Sequence, residues 1–185
     1  MSSRNLTSVL SSLPETNQCK AVIAYLRELL TSGKWGEAEA IFEKVSVITG
    51  HPELKAEAAS ICLLIFLRRQ NLPAALGLYQ YICSLDRSIE MLCHRADALF
   101  HLAGSLLPEQ PSRLFGLWRQ ISTLELPLHA QRISAHIGLL LLKQFLKNSD
   151  TANATLILHQ IQVSFSRSAC HAAVTEAQKI FQQAF

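Results

Sequence analysis

The chain has 185 residues, of which 49% are hydrophobic and 17% are charged, and its formal net charge is +3. This composition excludes a disordered chain, and so small a charge does not favour a nucleic-acid-binding surface. Glycine and proline are few, at 7 and 6 residues, while helix-forming residues are plentiful. The composition therefore favours an all-α protein with a substantial core.

The chain has five cysteines, and they are scattered without a Cys-x-x-Cys motif. This pattern favours free thiols in a reducing compartment. The N-terminal sequence has no features of a signal peptide, and the apolar run over residues 137–142 is far shorter than the roughly 20 residues that a membrane span needs. We therefore expect an intracellular protein, cytoplasmic or nuclear, without a membrane partner.

The first 16 residues predict an N-terminal arm or short helix that ends at Pro14. A helical hairpin follows. Its first helix covers about residues 18–31, and Gly33 is a suitable left-handed terminator. Trp35 packs in the turn, and a second helix runs to about residue 49, where Gly50-His51-Pro52 ends it.

Three further hairpins are predicted in chain order. The second has a first helix over about 53–69, a corner at Gln70-Asn71-Leu72 and Pro73 in the first turn of its second helix. The third has a first helix over about 88–106, with Ile89 and Phe100 in its apolar stripe, and then a longer connection over 107–111. The fourth begins with a nearly all-apolar helix over about 128–147, and Asp150 is the expected N-cap of its second helix. A last helix covers about 168–185.

The second helices of these hairpins align on three positions, separated by four and then three residues. The first positions lie 37, 39 and 40 residues apart, and all twelve aligned residues are apolar. Because one hairpin cannot bury so much apolar surface alone, the hairpins are expected to stack. The first positions are Ala38, Ala75, Leu114 and Ala154; the second are Phe42, Tyr79, Trp118 and Leu158; the third are Val45, Ile82, Ile121 and Ile161.

The first hairpin, over residues 17–52, resembles the tetratricopeptide-repeat family. The residues that carry the resemblance are Gly33, Trp35, Ala38, Phe42, Gly50 and Pro52. Through its second helices the resemblance extends over residues 17–165, although Gln70 stands where the family usually has glycine. It implies an α-α superhelix of about four helical hairpins, followed by a C-terminal helix (166–185) that caps the repeats or docks on a partner.

The family binds peptides or partner helices in a concave groove lined by the first helix of each hairpin. Transferred to this chain, the resemblance implies partner-binding positions at Lys20, Arg27, Glu57, Arg68, Asp97, His101, His136 and Lys143. The apolar end of the last helix adds Phe181 and Phe185, through which the chain can form a dimer or hetero-oligomer, or continue into a longer protein.

We therefore expect a non-catalytic protein–protein interaction domain that acts as an adaptor, scaffold or assembly subunit and binds a protein or peptide segment. A partner-holding chaperone of the same fold is the nearest alternative. The first hairpin also resembles a pentatricopeptide RNA-binding repeat, through Tyr25, Leu29, Gly33, Ala38, Phe42 and Glu43. No other hairpin does, and reading RNA base by base needs many regular units, so nucleic acid is not expected as a partner.

One polar cluster has the residue types of a metal site. Glu90, His94, Asp97 and His101 share one helix face, and His129 and His136 can join them if the two helices are neighbours. Imidazole and carboxylate groups can bind zinc or titrate near neutral pH. A solvated polar face explains the same pattern more simply, so we predict no metal and no cofactor. The sequence contains no hydrolase, phosphate-loop or dinucleotide motif, and we do not expect an enzyme.

Overall fold

The computed structural model of the protein describes residues 13–47, 50–86 and 88–184, except the side chains of Lys44 and Val45. Of these residues 83% are helical and none lies in a strand, which confirms the all-α prediction. The predicted N-terminal arm, up to residue 12, and Phe185 lie outside the described residues. The helices are α1 (Glu15–Ser32), a 3₁₀ turn (Trp35–Glu37), α2 (Ala38–Ser46), α3 (Pro52–Arg68), α4 (Leu72–Ser84), α5 (Ile89–Glu109), α6 (Pro111–Ser122), α7 (Leu128–Lys147), α8 (Thr151–Phe165) and α9 (His171–Gln182).

The chain forms two compact units, and the boundary between them falls between His94 and Arg95, inside α5. In the first unit α1 packs against α2 and α3, and α3 packs against α4. In the second unit α7 packs against α6 and α8, while α9 packs against both α7 and α8. Among the described residues, none of the helices combines the length and apolar character that a membrane crossing requires.

The ends of several helices follow the predicted turn chemistry. Gly33 ends α1 with a φ of 73°, a left-handed conformation that glycine adopts without strain. Asp150 is the N-cap of α8, as predicted: its Oδ1 accepts a hydrogen bond from the backbone N–H of Asn153 at 3.1 Å. The two hydrogen bonds from Asn153, one from its side chain and one from its backbone, lower the pKa of Asp150. Pro73 lies in the first turn of α4, where its missing N–H leaves no bond unmade.

The aligned repeat positions lie in the core of the described chain. All four first positions have no exposed surface. At the second position Tyr79 and Trp118 are buried, whereas Phe42 and Leu158 are half-buried. At the third position Ile82, Ile121 and Ile161 are buried; the side chain of Val45 lies outside the described set. The pattern therefore identified core residues in both units.

Two helices of the second unit approach α7 closely at Gly138. A Cβ atom at this position would lie 2.7 Å from Cζ2 of Trp118 on α6 and 3.2 Å from Cγ1 of Ile161 on α8. The indole Nε1 of Trp118 also donates a hydrogen bond to the backbone oxygen of Ser134 at 2.7 Å. A glycine on α7 thus makes room for the large side chain of α6.

Two expectations for α5 were wrong. The helix does not end near residue 106 but continues through Pro108 to Glu109, so that Gln110 alone connects it to α6. Proline lacks a backbone N–H and so removes one helical hydrogen bond, but the N–H of Gln110 still donates to the oxygen of Leu106 at 2.7 Å, so helical bonding continues past Pro108. Ile89 and Phe100, assigned to the apolar stripe, are both exposed. They are 11 residues apart, about three helical turns, and so share one angular position at the edge of the buried face.

Candidate partner-binding site

The predicted partner-binding residues of the first unit come together on α1 and α3. Arg27 on α1 forms an ion pair with Glu57 on α3. Nη1 of Arg68 donates a hydrogen bond to the backbone oxygen of Leu30 at 3.0 Å. Lys20 is exposed two turns before Arg27. Exposed ion pairs of this kind contribute about 0 to 1 kcal/mol, so a partner can rearrange them with little loss of stability.

In the second unit, α5 and α7 bring the predicted polar residues together. Nε2 of His129 on α7 lies 3.0 Å from Oδ1 of Asp97 on α5, and both side chains are partly exposed. The ring of Phe100 lies between two imidazoles, with centroid distances of 6.0 Å to His101 and 5.8 Å to His136. We call this set, Asp97, Phe100, His101, His129 and His136, the α5/α7 surface.

The aromatic ring at the centre of the α5/α7 surface is 42% exposed. The imidazole of His136 packs against it from the neighbouring helix. Desolvation lowers the pKa of His101, and the nearby Asp97 carboxylate partly opposes this shift. Lys143 is exposed on α7, two turns beyond His136, and extends the polar border of the surface.

The metal-site alternative gains no geometric support within the described part of the chain. No group of three or more His, Cys, Asp or Glu side chains in residues 13–47, 50–86 and 88–184 is arranged to hold a metal ion. His129 and Asp97 form a pair, and the ring of Phe100 packs between His101 and His136. The arrangement is that of a mixed aromatic and polar surface.

The cysteines are free thiols in different environments. Burial raises the pKa of Cys62 to about 12, and its Sγ donates to the backbone oxygen of Ala38 at 3.7 Å, so this residue acts as a small buried side chain. Cys170 is buried while its neighbour His171 is exposed. Burial also raises the pKa of Cys170, and the positive charge of Arg132 opposes that rise.

A shallow groove of about 400 Å³ lies between α7 and α9. Its floor is formed by small and apolar side chains, among them Ala135, Leu139, Ala172 and Ala173. Arg132 and His136 stand on the α7 side, and Glu176 stands on the α9 side. We call this feature the α7/α9 groove. His136 belongs both to the groove and to the α5/α7 surface, so the two are continuous.

The sequence did not identify the α7/α9 groove. The signal was present as Ala169 just before α9, as Ala172 and Ala173 in its first turn, and as Ala135 and Leu139 one turn apart on α7. Without the packing of α9 on α7, these positions had no visible connection. Phe181 of α9, a predicted partner-binding residue, is half-buried, and its role in binding stays a prediction.

A second pocket, of about 600 Å³, lies where α6 and α8 end. Its wall is held by internal hydrogen bonds. The hydroxyl of Ser164 donates to the backbone oxygen of Ser122 at 2.8 Å, and Gln131 donates to the backbone oxygen of Leu126 at 2.7 Å. Its charged lining residues are Glu125 and Arg167.

Comparison of the chain with protein-family models, with curated proteins and with solved structures gives no match.

Proposed function

We propose that this chain is a non-catalytic protein-interaction domain, acting as an adaptor, scaffold or assembly subunit that binds a segment of a partner protein on the α5/α7 surface. The observation that carries the proposal is Phe100, a large aromatic side chain that is 42% exposed and packs against the ring of His136. Partly exposed aromatic residues are frequent energetic centres of protein interfaces, because they bury a large apolar area on binding.

The surroundings of Phe100 support a protein partner. Around the ring stand His101, the Asp97–His129 pair and, further along α7, Lys143. An apolar centre with a polar border is the common anatomy of a protein interface. Both charge signs are present, which suits a polypeptide partner better than a polyphosphate chain.

The charged surface on α1 and α3 is a second candidate contact area, within the first unit. Arg27 and Glu57 form an ion pair there, and Arg68 donates to the backbone oxygen of Leu30. Charged groups at the border of an interface chiefly affect the association rate and the choice of partner. Charge reversal at Arg27 or Arg68 should therefore weaken binding moderately and in a salt-dependent way.

The tetratricopeptide-like superhelix and an intracellular, cytoplasmic location belong to this same proposal. Burial of the aligned repeat positions and the capped corner at Asp150 support the helical-repeat part of it. A protein of this type uses its buried repeat positions for packing and leaves the variable positions of its helices for partners.

Affinity purification of the tagged chain from its native cell, followed by mass spectrometry, tests the proposal. The Phe100→Asp variant should fail to recover a specific set of proteins that the unchanged chain recovers. The matched control is Leu156→Asp, because Leu156 is also a large exposed side chain, 57% exposed on α8. Recovery of the same proteins by both variants would contradict the proposal.

A nuclease-treated sample separates the alternatives. If the recovered proteins vanish after RNase treatment, and the chain binds single-stranded RNA with strong salt dependence, the pentatricopeptide-like alternative replaces the proposal. If the recovered proteins aggregate when expressed without the chain, the protein is a partner-holding chaperone.

A further inference from the structure

The α7/α9 groove gives the proposed function a more specific form. Its floor is apolar, open and built from small side chains, including Ala135, Ala172 and Ala173. Small residues allow another backbone to approach closely, and the gap between two packed helices accepts the ridge of a third helix. A second copy of the same concave surface would not fill the groove, whereas a convex helix would.

The rim of the groove carries opposite charges. Arg132 and His136 are one turn apart on α7, and Glu176 faces them from α9. Neither Arg132 nor Glu176 forms an ion pair with any residue that the structure describes. Both charges are therefore available to side chains on the two edges of an occupant. The positive charge of Arg132 acts within the groove, because it opposes the rise in the pKa of Cys170, which also lines the groove.

We infer that the α7/α9 groove binds one amphipathic α-helix of a partner protein, an inference that rests on the proposed protein-binding function. The bound helix carries an acidic side chain on the edge facing Arg132 and a basic side chain on the edge facing Glu176. The apolar face of that helix has small or medium side chains at i, i+3, i+4 and i+7, the usual pattern of helix-in-groove recognition. Phe100 lies next to His136 and provides an aromatic anchor at the border of the same helix.

The test uses three fluorescently labelled helical peptides with one common apolar face of alanine and leucine. The first has glutamate on one edge and lysine on the other, the second has lysine on both edges, and the third has glutamine on both. Fluorescence anisotropy with the full chain should give the tightest binding for the glutamate/lysine peptide, about fivefold tighter than for the lysine-only peptide. Arg132→Glu makes both rims acidic and should reverse this preference.

Ala172→Arg places a long charged side chain on the floor at an exposed position and should weaken binding of all three peptides about tenfold or more. Its matched control is Ala24→Arg, an exposed alanine in α1, which should leave binding unchanged. Circular dichroism of each variant checks that the fold is retained. If Ala172→Arg unfolds the chain, the reversal by Arg132→Glu still decides the question.

Failure of Arg132→Glu to reverse the preference would overturn the inference, and so would any of the following results. The peptides could fail to bind, they could bind with equal affinity whatever their edge charges, or Ala172→Arg could leave binding unchanged. A concentration-dependent dimer that Ala172→Arg abolishes would identify a second copy of the chain as the occupant and would also overturn it. Failure here leaves the proposed function intact if partner recovery still depends on Phe100, so the two claims fail separately.

Discussion

The hairpins α3–α4 and α7–α8 turn their corners in the same way, although the corner residues Gln70 and Ser149 are 79 residues apart in the chain. In each, the last residues of the first helix are followed by a residue with left-handed φ, 55° at Gln70 and 59° at Ser149. In each, the next residue caps the second helix: Asn71 accepts from the N–H of Ala74, and Asp150 from that of Asn153. The corner conformation is thus shared although four different side chains produce it.

The backbone hydrogen bonds explain this agreement. The N–H of Asn71 donates to the oxygen of Phe66, and the N–H of Asp150 donates to the oxygen of Phe145, each at 2.9 Å. In each corner the N–H of the left-handed residue also donates to the oxygen of the residue three positions earlier, at 3.0 Å, which completes a Schellman motif. What the two hairpins share is therefore a pattern of backbone bonds and capping groups, while the packing on the first helix differs: Ala59 in α3 corresponds to Gly138 in α7.

The largest effects are expected where the two hairpins are most alike. Phe66 and Phe145 occupy equivalent positions, and both are buried. Phe66→Ala and Phe145→Ala should each lower the free energy of unfolding by about 3 to 5 kcal/mol, since a large cavity replaces each ring. Urea unfolding followed by circular dichroism measures both. A small loss at one position alone would show that the two corners are not equivalent in packing.

A smaller effect is expected where the hairpins differ. Gly138→Ala forces a Cβ to within 2.7 Å of the Trp118 ring, which cannot move freely because its indole is hydrogen-bonded and buried. The substitution should cost about 1 to 3 kcal/mol. Gly77→Ala in α4 is the control: a Cβ there meets nothing within 4 Å, so stability should rise by up to about 1 kcal/mol. Thermal melts of both variants give the comparison, and a stable Gly138→Ala chain would contradict the close approach.

The left-handed corners should respond to glycine in parallel. Gln70→Gly and Ser149→Gly relieve a conformation that side chains adopt at a cost, so each should raise the free energy of unfolding by about 0.5 to 1 kcal/mol. Gly33→Ala is the opposite change, at a φ of 73°, and should be destabilising. If one glycine substitution stabilises the chain and the other destabilises it, the two corners do not share a left-handed backbone conformation.

The smallest expected effect on the free energy of unfolding concerns the two capping residues, Asn71 and Asp150, and depends on pH. Hydrogen bonds from Asn153 lower the pKa of Asp150, so the folded state favours its ionised form. The stability gained from that charge is present above about pH 4, the ordinary carboxyl range, and is lost as the pH falls through the lowered pKa of the folded state. Asn71 does not titrate. The stability difference between the unchanged chain and Asp150→Asn should therefore shrink below about pH 4, whereas an Asn71→Ser difference should stay constant with pH.

The corners and the core were the parts of the fold that the sequence predicted best. Gly33, Pro73 and Asp150 act locally, through the chemistry of a single turn, and each was correctly placed. Burial at the aligned repeat positions also followed from helical periodicity. The end of α5 was placed too early, because a proline in the last turn of a helix does not have to end it.

The candidate site could be predicted only in part. The polar residues of α5 and α7 were identified, and the structure brings Asp97 next to His129 and Phe100 next to His136. Phe100 was assigned to the apolar stripe of α5 and was also considered as an apolar anchor for a partner, and spacing along one helix could not decide between the two. The α7/α9 groove was not foreseen, because it depends on contact between two helices. Tertiary packing of α9 on α7 is a long-range property that no local pattern records.

Direct binding between purified components tests the central claim, which is that the α5/α7 surface binds a partner protein. The most abundant specific protein from affinity purification is titrated into the chain by isothermal calorimetry. The account predicts that Phe100→Asp raises the dissociation constant at least about tenfold, while Leu156→Asp leaves it unchanged. Equal affinities for the two variants, or no direct binding by the unchanged chain, would contradict it.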